Sequence, residues 1–266
     1  MAGFQTKTYR MTSPRLKGRE SLRFALLADL HGLSFGEDNC LLLEEIRKSR
    51  PDAVLAAGDL IVRSDPGTIP TARKLLCTLA GEFPVCFAPG NHEAKMERSD
   101  SFSLLYQEYE REIAQAGVVV LRNQRAERWI RGTRVNFYGL DLPILYYHKP
   151  NSPKLKKEVL TGLLGEPERE GLRVLLAHNP KYGKAYFQWG ADLTVCGHYH
   201  GGVVRLSEHH GLTCPQYLLL PPYCCGDFHQ DGRHMVVSPG LGEHTIPVRI
   251  HNPRELLIIT LEAAGH

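Results

Sequence analysis

Five times along this chain a short apolar run stops at residue types that bind metal ions: Asp29 with His31, Gly58-Asp59, Gly90-Asn91-His92, His178-Asn179, and Gly197-His198-Tyr199-His200. Imidazole nitrogens with carboxylate and amide oxygens, and no thiolate, suit Mn²⁺, Fe or Zn²⁺, of which we favour Mn²⁺. Seven candidates (Asp29, His31, Asp59, Asn91, His178, His198 and His200) exceed what one four-coordinate ion uses, so two ions are the economical reading. Asp59 is the expected bridge, because a carboxylate flanked by Gly58 is free to touch two ions about 3.5–4 Å apart. On an extended segment His198 and His200 point to one side and Tyr199 faces away.

Two divalent ions lower the pKa of a water held between them and polarise phosphoryl oxygens during in-line displacement. The reaction this implies is hydrolysis of a phosphoester by metal-bound hydroxide. His92, adjacent to the candidate ligand Asn91, is placed to protonate the departing alkoxide as a general acid, or else to hydrogen-bond to the ligands.

Something must bring five distant motifs together, and the apolar runs before them supply it. Residues 24–28, 53–57, 85–88, 174–177 and 193–196 have the length and composition of strands buried on both faces. In open α/β architectures the ligand site lies beyond the carboxyl ends of such strands. Helical periodicity predicts helices over 38–49, from Pro70 to Gly81, from Phe102 to Ala116, and near 153–164. Asn179 and Pro180 read as the cap and first turn of a further helix beside His178. Segments 118–121, 127–130 and 135–138 read as antiparallel strands, and 201–206, 235–238, 246–250 and 256–261 as strands of the tail. The fold class expected is α/β, with mixed sheets flanked by helices.

With 266 residues, 42% hydrophobic and 23% charged, the chain suits one globular domain over 22–266, with a basic segment over 1–21 that is part of it or leads into it. That segment concentrates Lys7, Arg10, Arg15, Lys17 and Arg19, and reads as a solvated tail or as a peripheral contact with an anionic membrane. A net charge of +3 gives no strong nucleic-acid signal. No signal-peptide-like or transmembrane segment is recognisable, so a cytoplasmic location, with peripheral membrane contact as a variant, is expected. Seven scattered cysteines fit reduced, buried thiols. Tyr146, Tyr147 and His148 read as a core or lid segment, and His209, His210, His229 and His244 as surface or loop residues.

The ordered set Asp29-Leu-His31, Gly58-Asp59, Gly90-Asn91-His92-Glu93, Ala177-His178-Asn179 and Gly197-His198-Tyr-His200-Gly-Gly202 resembles the calcineurin-like metallophosphoesterases. Residues 240–261 are similar to one bacterial branch of phosphodiesterases, often membrane-anchored or exported through a twin-arginine leader. The resemblance implies a four-layer αββα sandwich. It also implies Asp29, His31 and His200 on one ion, Asn91, His178 and His198 on the other, Asp59 between them, and His92 as the catalytic histidine. The substrate implied is a phosphodiester or phosphomonoester, small or lipid-linked. Where relatives place an acidic partner for the catalytic histidine, this chain has Val62, with Glu93 a substitute if it reaches the imidazole; Arg63 matches a phosphate-contacting arginine. A nuclease, a protein phosphatase and a non-enzymatic scaffold are the competing readings.

Overall fold

A computed structural model describes residues 3–17, 21–149, 151–243 and 248–264. The elements run β1 (Gln5–Ser13), β2 (Ser21–Leu27), α1 (Cys40–Ser49), β3 (Ala53–Ala56), α2 (Ile69–Ala80), β4 (Val85–Phe87), α3 (Asn91–Glu97), α4 (Ser103–Gln115) and β5 (Val119–Val120). They continue as β6 (Gln124–Ile130), β7 (Thr133–Leu140), α5 (Lys157–Leu164), β8 (Leu172–Ala177), α6 (Gly183–Trp189), β9 (Leu193–Cys196), β10 (Gly226–Gln230), β11 (Arg233–Val237) and β12 (Glu255–Ala263).

Among the described residues the strands form two six-stranded mixed sheets, ordered β1-β12-β2-β3-β4-β5 and β10-β11-β9-β8-β7-β6. β2, β3, β4 and β5 run parallel in the first, and β7, β8, β9 and β11 in the second. The period-two geometry of a strand sends alternate side chains to opposite faces. Leu22, Phe24 and Leu26 of β2 therefore meet Phe137, Val174, Leu176 and Val195 of the other sheet in a shared core, where the Phe24 and Phe137 rings contact edge to face at 6.2 Å. Ala25 and Leu27 turn the other way, under residues of α1, α2 and α4. On the far side Leu175 and Ala177 of β8 pack with Leu160 of α5 and Tyr186 of α6. The result is the four-layer αββα sandwich, and both faces of the central strands are buried as their unbroken apolar runs require.

Several local expectations are corrected. Residues 5–13 are no tail: they form β1, a strand parallel to β12, and Lys7, Arg10 and Arg15 face Glu208, Glu262 and Asp192. A basic composition masked an alternating strand that buries Tyr9, Met11 and Ser13 on one face and exposes Thr8, Arg10 and Thr12 on the other. Of the three segments expected to be antiparallel, β5 is parallel to β4 in the first sheet, and β6 and β7 pair antiparallel as a hairpin. Residues 201–206 make isolated bridges, Val204 to Ile250 and Arg205 to Gly211, because positive φ at Gly201 and Gly202 takes the chain out of extended geometry. Of the strand expected over 246–250, residues 246 and 247 lie outside the described residues, as does His244. The helix near 153–164 begins only at Lys157. Among the described residues no helix is long and apolar enough to cross a membrane.

Because the Phe137 ring fills the space between the sheets, Phe137→Ala is expected to lower the unfolding free energy by about 3–5 kcal/mol. Urea denaturation followed by circular dichroism measures this, and a loss below about 1 kcal/mol would mean the sheets close over the gap.

Candidate metal centre

Each ligand-type motif sits immediately beyond the carboxyl end of a parallel strand: Asp29 after β2, Asp59 after β3, Asn91 at the start of α3 after β4, His178 after β8 and His198 after β9. The loops are tied edge to edge. Asp29 N–H donates to the Gly58 carbonyl (3.0 Å), His31 N–H to the Asp59 carbonyl (3.1 Å) and Gly197 N–H to the His178 carbonyl (3.0 Å). Asp29, His31, Asp59, His198 and His200 all hold left-handed backbone, with φ between 49° and 69°. Such residues carry a cost of about 1–2 kcal/mol each, which Asp and His bear more readily than most. These sharp turns, not a strand pleat, aim the side chains. His198 and His200 accordingly do not stand side by side as on an extended segment: they join different clusters of one site, while Tyr199 turns away into a buried group with Cys214, Cys224 and Cys225.

Three clusters have potential ligand atoms within 4.8 Å of one another: Asp29, His31 and His200; Asp59, His178 and His198; and His31, Asp59 and His92. Asp59 thus belongs to two of them. His31 Nε2 and His200 Nε2 lie 3.2 Å apart, with the rings nearly parallel, and His200 Nε2 is 3.5 Å from Asp29 Oδ1. His178 Nδ1 faces the Ala57 carbonyl at 2.6 Å and must therefore carry a hydrogen, which leaves Nε2 as the atom facing Asp59 Oδ2 (3.0 Å) and Asp29 Oδ1 (3.8 Å), the position open to a second proton or to a cation. Asn91 Oδ1 is buried with no hydrogen-bond donor, and Asn91 borders the same cleft as His31, Asp59, His92, His198 and His200.

The electrostatics are those of buried groups sharing charge. Burial pushes the Asp29 carboxyl up to about 7, with His178 opposing the shift. Burial would also raise Asp59, but the charge of His178, with His92 and His31, holds it well below the usual carboxylate range. Burial lowers His178, yet the facing Asp59 and Asp29 raise it to about 10. Burial lowers His92 from its ordinary value, more than the nearby Asp59 restores. A cation bound here would take the place of the proton on His178 and would bring the raised Asp29 and His178 back down.

Two features of the loops were not legible. Gly58 does not act by freeing the Asp59 carboxylate; a Cβ there would lie 2.5 Å from Gly90 N, whereas a Cβ on Gly90 would lie 2.3 Å from Asp59 Oδ1. Gly90 is the residue that makes room for the carboxylate. Glu93 is fully buried and does not reach the His92 ring: its carboxylate accepts from the backbone N–H groups of Asp59 (2.8 Å), Leu60 (2.8 Å) and Gly90 (3.0 Å). It clamps the Asp59 loop to the Asn91 loop. The sequence signal was Glu93 three residues after Gly90, the spacing of an N-terminal capping box, which also marks the unforeseen α3. Asp59 Oδ1 completes the junction by accepting from His92 N–H (2.8 Å).

His92 Nδ1 instead accepts from the main-chain N–H of Arg63 (3.1 Å), so in the neutral ring the hydrogen sits on Nε2. The exposed Arg63 side chain lines the cleft with Lys95 and Lys149. Arg249 and Asn252 support His200 from behind. The guanidinium donates to the Gly242 carbonyl (2.6 Å) and lies 3.5 Å from His200 Nδ1, and Asn252 Nδ2 donates to the His200 carbonyl (2.6 Å). Tyr147 packs edge-on against His198 at 5.3 Å, so this tyrosine lines the cleft.

The chain is similar to several known proteins. The chain is 29% identical over 249 residues to a zebrafish (Danio rerio) transmembrane protein with metallophosphoesterase domain, covering 91% of this chain and 54% of that protein. It is 24% identical over 244 residues to the uncharacterised metallophosphoesterase YkuE of Bacillus subtilis, covering 86% and 74%. An uncharacterised metallophosphoesterase of Aquifex aeolicus is 23% identical over 270 residues, covering 98% and 93%. The chain thus spans about half the length of its zebrafish relative and nearly all of the Aquifex one. TT1561 of Thermus thermophilus shares the fold, with a TM-score of 0.51 at 12% identity over 84% of this chain and 92% of that one. The calcineurin-like phosphoesterase family model matches residues 22–202, the stretch that carries every one of the strand-end loops, and the chain belongs to that family.

Proposed function

We propose that this chain hydrolyses a phosphodiester or phosphomonoester, small or lipid-linked, with the aid of two divalent cations. The observation that carries the reading is the meeting, at one cleft, of the three Asp and His clusters with the unsatisfied Asn91 Oδ1. This donor set fits the group: nitrogens and oxygens only, a His178 tautomer fixed by a carbonyl, and a carboxylate shared by two clusters. Asp29, His31 and His200 would hold one ion, Asn91, His178 and His198 the other, and Asp59 both; Mn²⁺ is our first choice. Bound divalent cations supply a nucleophilic water at neutral pH and neutralise charge on the phosphoryl oxygens.

The remaining work falls to side chains of the protein. His92 is the proposed general acid. With Arg63 N–H at Nδ1, its neutral ring offers Nε2–H as a hydrogen bond to the departing oxygen, and the imidazolium populated at lower pH passes the proton outright. Arg63, Lys95 and Lys149 put positive charge along the cleft, where an anionic ester docks. Glu93 holds the two loops in register and so fixes the distance from Asp59 to Asn91.

Protein stripped with chelator is expected to regain hydrolysis of an aryl phosphodiester on addition of Mn²⁺, and Asp59→Asn to abolish it; full activity in that variant contradicts the bridging role. His92→Ala should keep its metal content, measured by plasma mass spectrometry, while turnover falls roughly 10²–10⁴-fold. Glu93→Ala leaves three backbone donors without an acceptor, so a stability loss of about 1.5–3 kcal/mol in urea is expected, together with weaker retention of Mn²⁺ on dialysis. A variant of wild-type stability and metal content would show that the clamp is dispensable.

A further inference from the structure

Beside the cleft lies a second pocket, of about 170 Å³, with largely apolar walls from Tyr199, Val203, Thr213, Pro215, Tyr217 and Val248. It is continuous with the candidate metal centre, because His200, Lys149, Pro215 and Glu243 border both. We infer that this pocket receives an alkyl chain of the phosphoester substrate, whose phosphate lies in the cleft; the inference rests on the hydrolytic reading above and narrows its substrate class.

Three observations point to an alkyl chain. Charge is divided along the path, with Arg63 and Lys95 on the cleft side, mostly apolar walls on the other, where Arg249 is committed to Glu243 and the Gly242 carbonyl, and Lys149 at the boundary with its Nζ 4.7 Å above the Tyr217 ring. Among the described residues no carboxylate pairs with Arg63, Lys95 or Lys149, and Glu243 is engaged by Arg249 and Arg254. An anionic head followed by an apolar tail matches that order. The apolar surface also continues outside the pocket further than a single ring would reach. Leu212, Leu219 and Leu220 are exposed, and the Thr213–Leu219 bridge and the Leu220 N–H to Leu212 carbonyl bond (2.9 Å) fasten them to the pocket rim. Seven of the twelve large exposed hydrophobic side chains among the described residues fall within 206–220 and 248–250, the two segments that flank this mouth. Scattered exposed apolar residues need no explanation, but a concentration at the lip of an apolar pocket marks a binding surface.

The test uses p-nitrophenyl alkyl phosphates with methyl, butyl, hexyl and octyl groups, below their aggregation concentrations and with Mn²⁺ present. kcat/KM is expected to rise about 2–4-fold per added methylene until the pocket is filled. Val203→Asp and Val248→Asp should each lower the octyl-to-methyl ratio at least tenfold, while Leu104→Asp, on the exposed face of α4, leaves the ratio as in the wild type. Calorimetry with methyl, hexyl and octyl phosphate gives the same comparison without turnover. Faster cleavage of the octyl ester in phosphatidylcholine vesicles than in solution assigns the chain to a membrane lipid, and equal or slower cleavage to a soluble amphiphile. A flat chain-length profile with brisk methyl ester hydrolysis overturns the inference and leaves the hydrolase reading standing. Absence of hydrolysis of every ester overturns the hydrolase reading, and equal calorimetric affinity for methyl and octyl phosphate then overturns the pocket assignment as well.

Discussion

Asp29 and Asp59 are withdrawn from water where the strand ends of the two sheets meet, and the loops around them are built to tolerate that burial. An ionised carboxylate in such a place is costly unless charge and hydrogen bonds compensate it. Backbone N–H groups of His198 and His92 supply part of the compensation, and His178 supplies a facing charge. The rest of the arrangement follows from holding these carboxylates close together: left-handed turns at five ligand-type residues, a glycine against each carboxylate, and a buried glutamate stitching two loops. None of these features improves the core. Together they trade backbone strain and desolvation for a fixed constellation of donors, as functional sites commonly do.

The placement of the ligand-type residues was more legible in the sequence than the local geometry. Buried parallel strands read as unbroken apolar runs, and ligands follow the carboxyl ends of those strands, so Asp29, Asp59, His178 and His198 could be placed at one edge without a structure. What the pattern could not convey was conformation within the turns. A left-handed backbone at His198 and His200 leaves no periodic trace, and an extended segment was the natural but mistaken expectation. Strand β1 was hidden for a different reason: an edge strand whose exposed face carries Thr6, Thr8, Arg10 and Thr12 has the composition of a solvated tail, and its partner β12 lies 250 residues away in sequence. α3 is short and begins on a ligand-type residue, so helical periodicity had too few residues to register.

His92 takes its orientation from the main chain: with Val62 rather than an acid nearby, the Arg63 N–H is the partner of its ring, one that no side-chain pattern reveals. A carboxylate partner would favour the imidazolium; an N–H donor at Nδ1 favours the neutral ring, and burial acts in the same direction. Glu93, which sequence placed next to the histidine, is committed to the opposite side of the turn, where its carboxyl oxygens accept from the backbone and organise the Asp59 loop. The Asn91-His92-Glu93 triplet therefore faces three ways, toward the candidate ligand sphere, the Arg63 main chain and the Asp59 loop backbone.

Anomalous X-ray diffraction from crystals of the Mn²⁺-loaded protein tests the central arrangement most directly. Two peaks separated by about 3.5–4 Å, each within bonding reach of an Asp59 oxygen, are the expected result. One peak alone, or two peaks of which Asp59 touches only one, would contradict the shared carboxylate on which the whole arrangement turns.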